Sequence, residues 1–187
     1  AVICIYDPLR KDARDAIRAL HDCGIENIVM MTGDNHKTAE SVAAEVGVDT
    51  FFAEVLPEDK AAFIRREKKA GRTVIMIGDG VNDSPALSEA DAGIAISTGA
   101  AIAREIADIT ISSEDLFALV TLRRLSQALM GRIHRNYRFI VGFNFMLIVL
   151  GVVGILPPTT SALLHNASTL GISLKSMTNL LPEGKAE

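Results

Sequence analysis

The chain has 187 residues, of which 49% are hydrophobic, and its formal net charge is −4. That length allows one compact domain plus a further segment, and the acidic balance excludes a general nucleic-acid binder. The charge is unevenly spread: residues 1–131 hold 14 Lys and Arg against 21 Asp and Glu, whereas residues 132–187 hold five against two. An acidic, soluble part is therefore expected to precede a basic, apolar tail.

In chain order, Val2–Tyr6, Asn27–Met31, Thr73–Ile77 and Gly93–Ile96 are apolar runs of strand length bounded by Gly, Asp or Asn, and Thr50–Ala53 and Ile109–Ile111 are weaker examples. Such runs suit strands buried on both faces of a parallel sheet. Between them, Lys11–Cys23, Lys37–Val46, Glu58–Ala70, Ser84–Ala90 and Ala100–Ala107 read as helices. The first carries Ala13, Ala16, Ile17 and Leu20 at helical spacing, with Gly24 as its stop. Alternating strands and helices predict a doubly wound α/β layer, with ligands at the carboxyl ends of the strands. Cys4 and Cys23 form no CxxC pair and suit a reduced compartment. The chain opens on a strand-like run without Met or a signal-like segment, so upstream sequence is expected.

After Ser112 the character changes. Glu114–Tyr137 reads as one helix, apolar early and basic late, and Phe139–Leu156 follows without a formal charge. That stretch predicts a membrane span, Pro157-Pro158 ends it, and Ser161–Leu181 predicts a second. The cations before the first span and late in the second place both ends in the cytoplasm.

Three constellations carry chemistry. Thr32-Gly33-Asp34-Asn35 follows a strand and opens a helix, where a hydroxyl and backbone amides make a phosphate cradle. Pro57 opens the next helix and puts Lys60 in its first turn, where an anionic ligand would offset the helix dipole. Gly78-Asp79-Gly80-Val81-Asn82-Asp83 then joins a strand to a helix. Asp79, Asn82 and Asp83 form a hard oxygen site suited to Mg²⁺, and Gly78 and Gly80 let backbone approach a phosphate. A phosphate-holding Thr, a Lys and an acidic pair are the parts that phosphoryl transfer requires. In the second predicted span, His165 and Thr169 share a helical face with Asn166 beside them, a nitrogen and oxygen set that suits a divalent transition metal.

TGDN at 32–35, Pro57-x-x-Lys60, MIGDGVNDSPAL at 76–87 and ADAGIAISTGAAIAREIADITI at 90–111 resemble the phosphorylation domain of heavy-metal-transporting P-type ATPases, a haloacid-dehalogenase-like fold. The resemblance implies the C-terminal part of such a pump: phosphorylation domain over 1–113, a linking basic helix over 114–138, two transmembrane helices over 139–181 and a cytosolic tail over 182–187. It implies that Thr32 and Gly33 hold an aspartyl phosphate, Lys60 bonds it, and Asp79 ligates Mg²⁺ with Asn82 and Asp83 arranging the site. Asp34 would face ATP. The family's DKTG, nucleotide-binding insertion and actuator domain are absent from the sequence, so the resemblance implies an inactive fragment whose N-terminal portion lies elsewhere. His165-Asn166-x-x-Thr169 differs from the copper-pump pattern and is closer to the cobalt-like one, which favours zinc, cadmium or cobalt over copper. The expected location is a bacterial plasma membrane, with ATP, a metal cation and the lipid bilayer as partners and no nucleic acid. The alternatives are a soluble phosphatase of the same fold and a non-catalytic regulatory module derived from a pump's tail.

Overall fold

A computed structural model describes residues 9–79, 82–96, 106–111 and 116–180. The expected strand at Val2–Tyr6 and most of the expected helix at Ala100–Ala107 lie outside those residues, as does Cys4. The chain forms two compact units, Ala1–Val120 and Thr121–Glu187.

In the first unit the elements alternate as anticipated: α1 (Ala13–Asp22), β1 (Val29–Met31), α2 (His36–Val46), β2 (Thr50–Phe52), α3 (Pro57–Lys69), β3 (Ile75–Gly78), α4 (Ser84–Glu89), β4 (Ala92–Ile96) and β5 (Ile109–Ile111). All pairings are parallel, and among the described residues they form two sheets, β1-β2 and β3-β4-β5. This corrects the expectation that the strands are buried on both faces. Ile75, Ile77 and Phe52 are exposed, and only central β4 is covered, with Ile94 and Ala95 buried. The reason is topological: β3 ends one sheet and β1 and β2 form another, so among the described residues most strands lack a neighbour on one side.

One device recurs at the start of the parallel pairs. The carboxylate of Asp49 accepts from the Ile28 amide at 2.7 Å, that of Asp91 from Val74 at 2.8 Å, and that of Asp108 from Gly93 at 2.8 Å. Each aspartate precedes one strand and satisfies a backbone donor within one residue of the start of its neighbour. The helices cover the sheets through Ala39 and Ala43 of α2, Ala61 and Ile64 of α3, and Ala86 and Leu87 of α4, all buried. Small residues let α4 lie close: a Cβ at Gly93 would meet the Leu87 carbonyl oxygen at 2.7 Å.

Two long helices follow, α5 (Phe117–Val152) and α6 (Pro158–Ser176). The predicted linking helix and the first predicted span are one helix, because nothing between Tyr137 and Phe139 breaks it. The two predicted spans are not seen as such: among the described residues no helix is long and apolar enough to cross a membrane. The charge-free part of α5, Phe139–Val152, covers about 21 Å at 1.5 Å per residue, against a hydrocarbon core of about 30 Å. Gly154, at φ 79°, turns the chain before Leu156. Helix α6 carries His165, Asn166 and Lys175 along its length.

Candidate functional site

The three constellations follow the carboxyl ends of β1, β2 and β3, and two of them meet directly. Pro57 occupies the first turn of α3, and the Asp59 carboxylate accepts from the Leu56 amide at 3.2 Å, fixing the helix start. Lys60, one position on, donates to Asp83 Oδ1 at 2.7 Å. Asp83 caps α4 and is the buried polar or charged residue among those described, and the side chains of the pair are 17% and 12% exposed. A carboxylate removed from water to that degree needs a cation, and Lys60 is that cation. It is no solvated surface lysine.

Gly78 makes this packing possible. A Cβ there would lie 2.5 Å from Asp83 Oδ2 and 2.8 Å from its Cβ, so the Asp83 carboxylate rests on the bare backbone at the end of β3. Asp79 follows, exposed, with Oδ1 accepting from the Asn82 amide at 3.3 Å. Gly80 lies outside the described residues.

Thr32, Gly33 and Asp34 form a tight turn after β1. The Thr32 hydroxyl donates to Asp34 Oδ2 at 2.7 Å and accepts from the Asp34 amide at 3.1 Å. Asn35 caps α2 by accepting from the Thr38 amide at 3.0 Å, which takes one donor out of the expected cradle. The turn is bound to the loop that feeds α3: the Val55 amide donates to the Thr32 carbonyl at 3.0 Å and the Glu54 amide to the Asp34 carbonyl at 2.9 Å. Glu54 adopts φ 55°, a left-handed conformation that costs a non-glycine residue about 1 kcal/mol and aims both amides at the turn. Sequence reasoning missed Glu54, since nothing in its residue type signals that backbone. The first constellation is thus tied to the loop that leads into α3, and Lys60 of α3 reaches Asp83.

The donor set fits a hard cation. Asp79 and Asp83 stand at the two ends of one short loop and offer carboxylate oxygens, the ligands that Mg²⁺ takes. Among the described residues no three His, Cys, Asp or Glu side chains gather as a metal site, so any ion here would complete its shell with water or phosphate oxygens.

In the second unit, His165 Nδ1 lies 2.8 Å from Asn144 Oδ1 of α5, and the Ser168 and Thr169 hydroxyls donate to the His165 carbonyl at 2.8 and 3.0 Å. These groups are engaged in holding α5 to α6 and in capping backbone oxygen. Asn166 is exposed. His165, Asn166 and Thr169 are not brought together around one point by these bonds.

The haloacid dehalogenase-like hydrolase family matches residues 1–91. A copper-exporting P-type ATPase of Staphylococcus aureus (strain JH9) is 45% identical over 157 residues, covering 84% of this chain and 20% of that protein. The chain therefore spans about a fifth of the length of the curated relatives it matches. The crystal structure of a zinc-transporting PIB-type ATPase in its E2.Pi state superposes with a TM-score of 0.84 at 32% identity, over 91% of this chain and 28% of that one. The catalytic domain of the CPx-ATPase CopB-B matches at a TM-score of 0.55 and 33% identity, over 61% of this chain and 45% of its own. The first unit, built on parallel sheets, is thus similar to the haloacid dehalogenase-like hydrolases over residues 1–91. More narrowly, the chain is a relative of the heavy-metal-transporting P-type ATPases, and the resemblance reaches into the helical unit as well.

Proposed function

We propose that this chain is part of an ATP-driven pump that exports a transition-metal cation through an aspartyl-phosphate intermediate. The observation that carries the reading is the Lys60–Asp83 ion pair seated on Gly78, on a helix whose entering loop, Glu54–Val55, is hydrogen-bonded to the Thr32–Asp34 turn. These groups follow the carboxyl ends of three parallel strands, which supports a shared phosphate site. A group phosphorylated beside them would be held by the Thr32 hydroxyl and the Gly33 backbone, with Lys60 turning from Asp83 to neutralise its charge. Asp34 would face the nucleotide. Asp79 and Asp83 would hold Mg²⁺, positioned by the Asn82 amide and by Gly78 and Gly80. The ion would supply charge neutralisation at the phosphoryl oxygens.

The phosphorylated aspartate and the ATP pocket belong to the rest of such a pump, so this chain alone is expected to turn nothing over. Helices α5 and α6 would lie in the pump's membrane part, where its other helices cover side chains that are bare here, such as Phe145 and Val152 at 67% and 82% exposed. The exported ion is written as a transition-metal cation: the curated relatives named above export copper, the solved relative transports zinc, and His165 with its oxygen neighbours would suit a divalent ion.

The test is metal-stimulated ATP hydrolysis by the complete pump. Lys60→Ala or Asp79→Asn should lower the rate by about 100-fold or more. A normal rate for Asp79→Asn removes the magnesium assignment, and metal-independent hydrolysis of simple phosphate esters would instead favour a phosphatase.

A further inference from the structure

Residues 121–180 contain six Lys and Arg and no Asp or Glu. Three of these cations, Arg132, Arg135 and Lys175, line one cavity of about 510 Å³ between α5 and α6, together with Asn136, Phe139 and Ile172. They are not equivalent. Arg132 is spent on the end of α6, donating to the carbonyl oxygens of Ser176, Thr178 and Asn179 at 3.0, 2.6 and 2.8 Å. That contact satisfies its charge and fixes the cavity wall. Asn136 adds a bond to the Ser176 hydroxyl at 2.9 Å. The side chains of Arg135 and Lys175 line the cavity and make no hydrogen bond or ion pair among the described residues. Phe139 and Ile172 make the rest of the lining apolar, and the charge-free part of α5 begins at Phe139.

We propose that this cavity binds the phosphate of an anionic phospholipid, with Arg135 and Lys175 on the headgroup and an acyl chain along Phe139 and Ile172. A basic pocket between two helices, bordered by apolar surface, matches the amphiphile's own division into charge and hydrocarbon. An inorganic phosphate would use only half of the lining, and a zwitterionic lipid brings its own cation beside the two already there. The inference rests on the part of the proposed function that sets these helices against lipid, and it uses no residue of the phosphoryl-transfer site.

The test is lipid retention by the full chain purified in detergent, read by native mass spectrometry after exposure to equal amounts of dioleoyl phosphatidylglycerol and dioleoyl phosphatidylcholine. The phosphatidylglycerol adduct should dominate, and excess inorganic phosphate should leave it in place. Arg135→Gln with Lys175→Gln should weaken that adduct by about 30-fold, while Arg123→Gln with Arg124→Gln, an equal change of charge outside the cavity, should weaken it less than about threefold. Equal retention of both lipids, displacement by phosphate, or equal losses in the two double variants would each overturn the proposal. Equal retention would still leave the helices in contact with lipid, and so would not touch the pump reading.

Discussion

Lys60 and Asp83 sit 2.7 Å apart with little exposure, whereas Arg65 and Glu89, at 2.9 Å, are 50% and 39% exposed. The same two charge types therefore have very different environments. Removing Lys60 leaves a buried carboxylate without its cation, and the expected cost of Lys60→Ala is about 2–4 kcal/mol. A double-mutant cycle in urea should give a coupling of at least about 1 kcal/mol for Lys60–Asp83 and under about 0.5 kcal/mol for Arg65–Glu89. Equal couplings would mean that Asp83 is hydrated. Asp91 supplies a test by pH. Its bond from the Val74 amide, and secondarily the nearby Lys68 ammonium, hold its carboxyl below the ordinary aspartate range. A lowered folded-state value means that its contribution is complete above the unfolded value of about 3.9 and is lost as pH falls from there through the folded value. Asp91→Asn should therefore melt lower at neutral pH, with the gap closing in acid. A gap that stays constant down to the acid limit would show that the charge is irrelevant. Much of this scale was legible: Thr32, Lys60, Asp79 and Asp83 announce themselves by type and spacing. Glu54 did not, because its role is a backbone angle imposed by the two loops it joins.

At the scale of elements, α4 is short and depends on its contact with β4. Leu87 is 1% exposed and its carbonyl lies where a side chain on Gly93 would go. Gly93→Ala must push backbone against backbone, and a loss of about 1–3 kcal/mol is expected by chemical denaturation. Gly142 in α5 has nothing within 4 Å of a built Cβ, so Gly142→Ala should instead add up to about 1 kcal/mol of helix propensity. The opposite signs are the check; a neutral Gly93→Ala would mean that α4 moves freely on the sheet. The strand and helix periods placed all of these elements to within a few residues, since β-branched runs and caps are local signals. The single helix spanning Phe117–Val152 was not anticipated, because a change of composition at Arg138 and Phe139 resembles a boundary although no residue there interrupts the hydrogen-bond ladder.

For the whole molecule, apolar exposure is the dominant fact. Phe145, Val152 and Met177 are 67%, 82% and 82% exposed, and Ile75 and Ile77 of β3 are bare as well. Surfaces of this kind are buried against something in a functioning protein. Sedimentation of the chain in plain buffer should show association, and detergent should reduce it to one defined species. A stable monomer without detergent would contradict the placement of α5 and α6 among other helices.

Residue order alone determined the alternating parallel architecture and marked the groups proposed for phosphoryl transfer, because hydrophobic period, glycine positions and acid spacing are properties of short windows of chain. Tertiary structure alone decided that Lys60 is committed to Asp83, that the described strands pair as β1-β2 and β3-β4-β5, and that His165 binds Asn144. Each of those depends on residues distant in sequence competing for the same partner in space, and no local pattern encodes which of them wins.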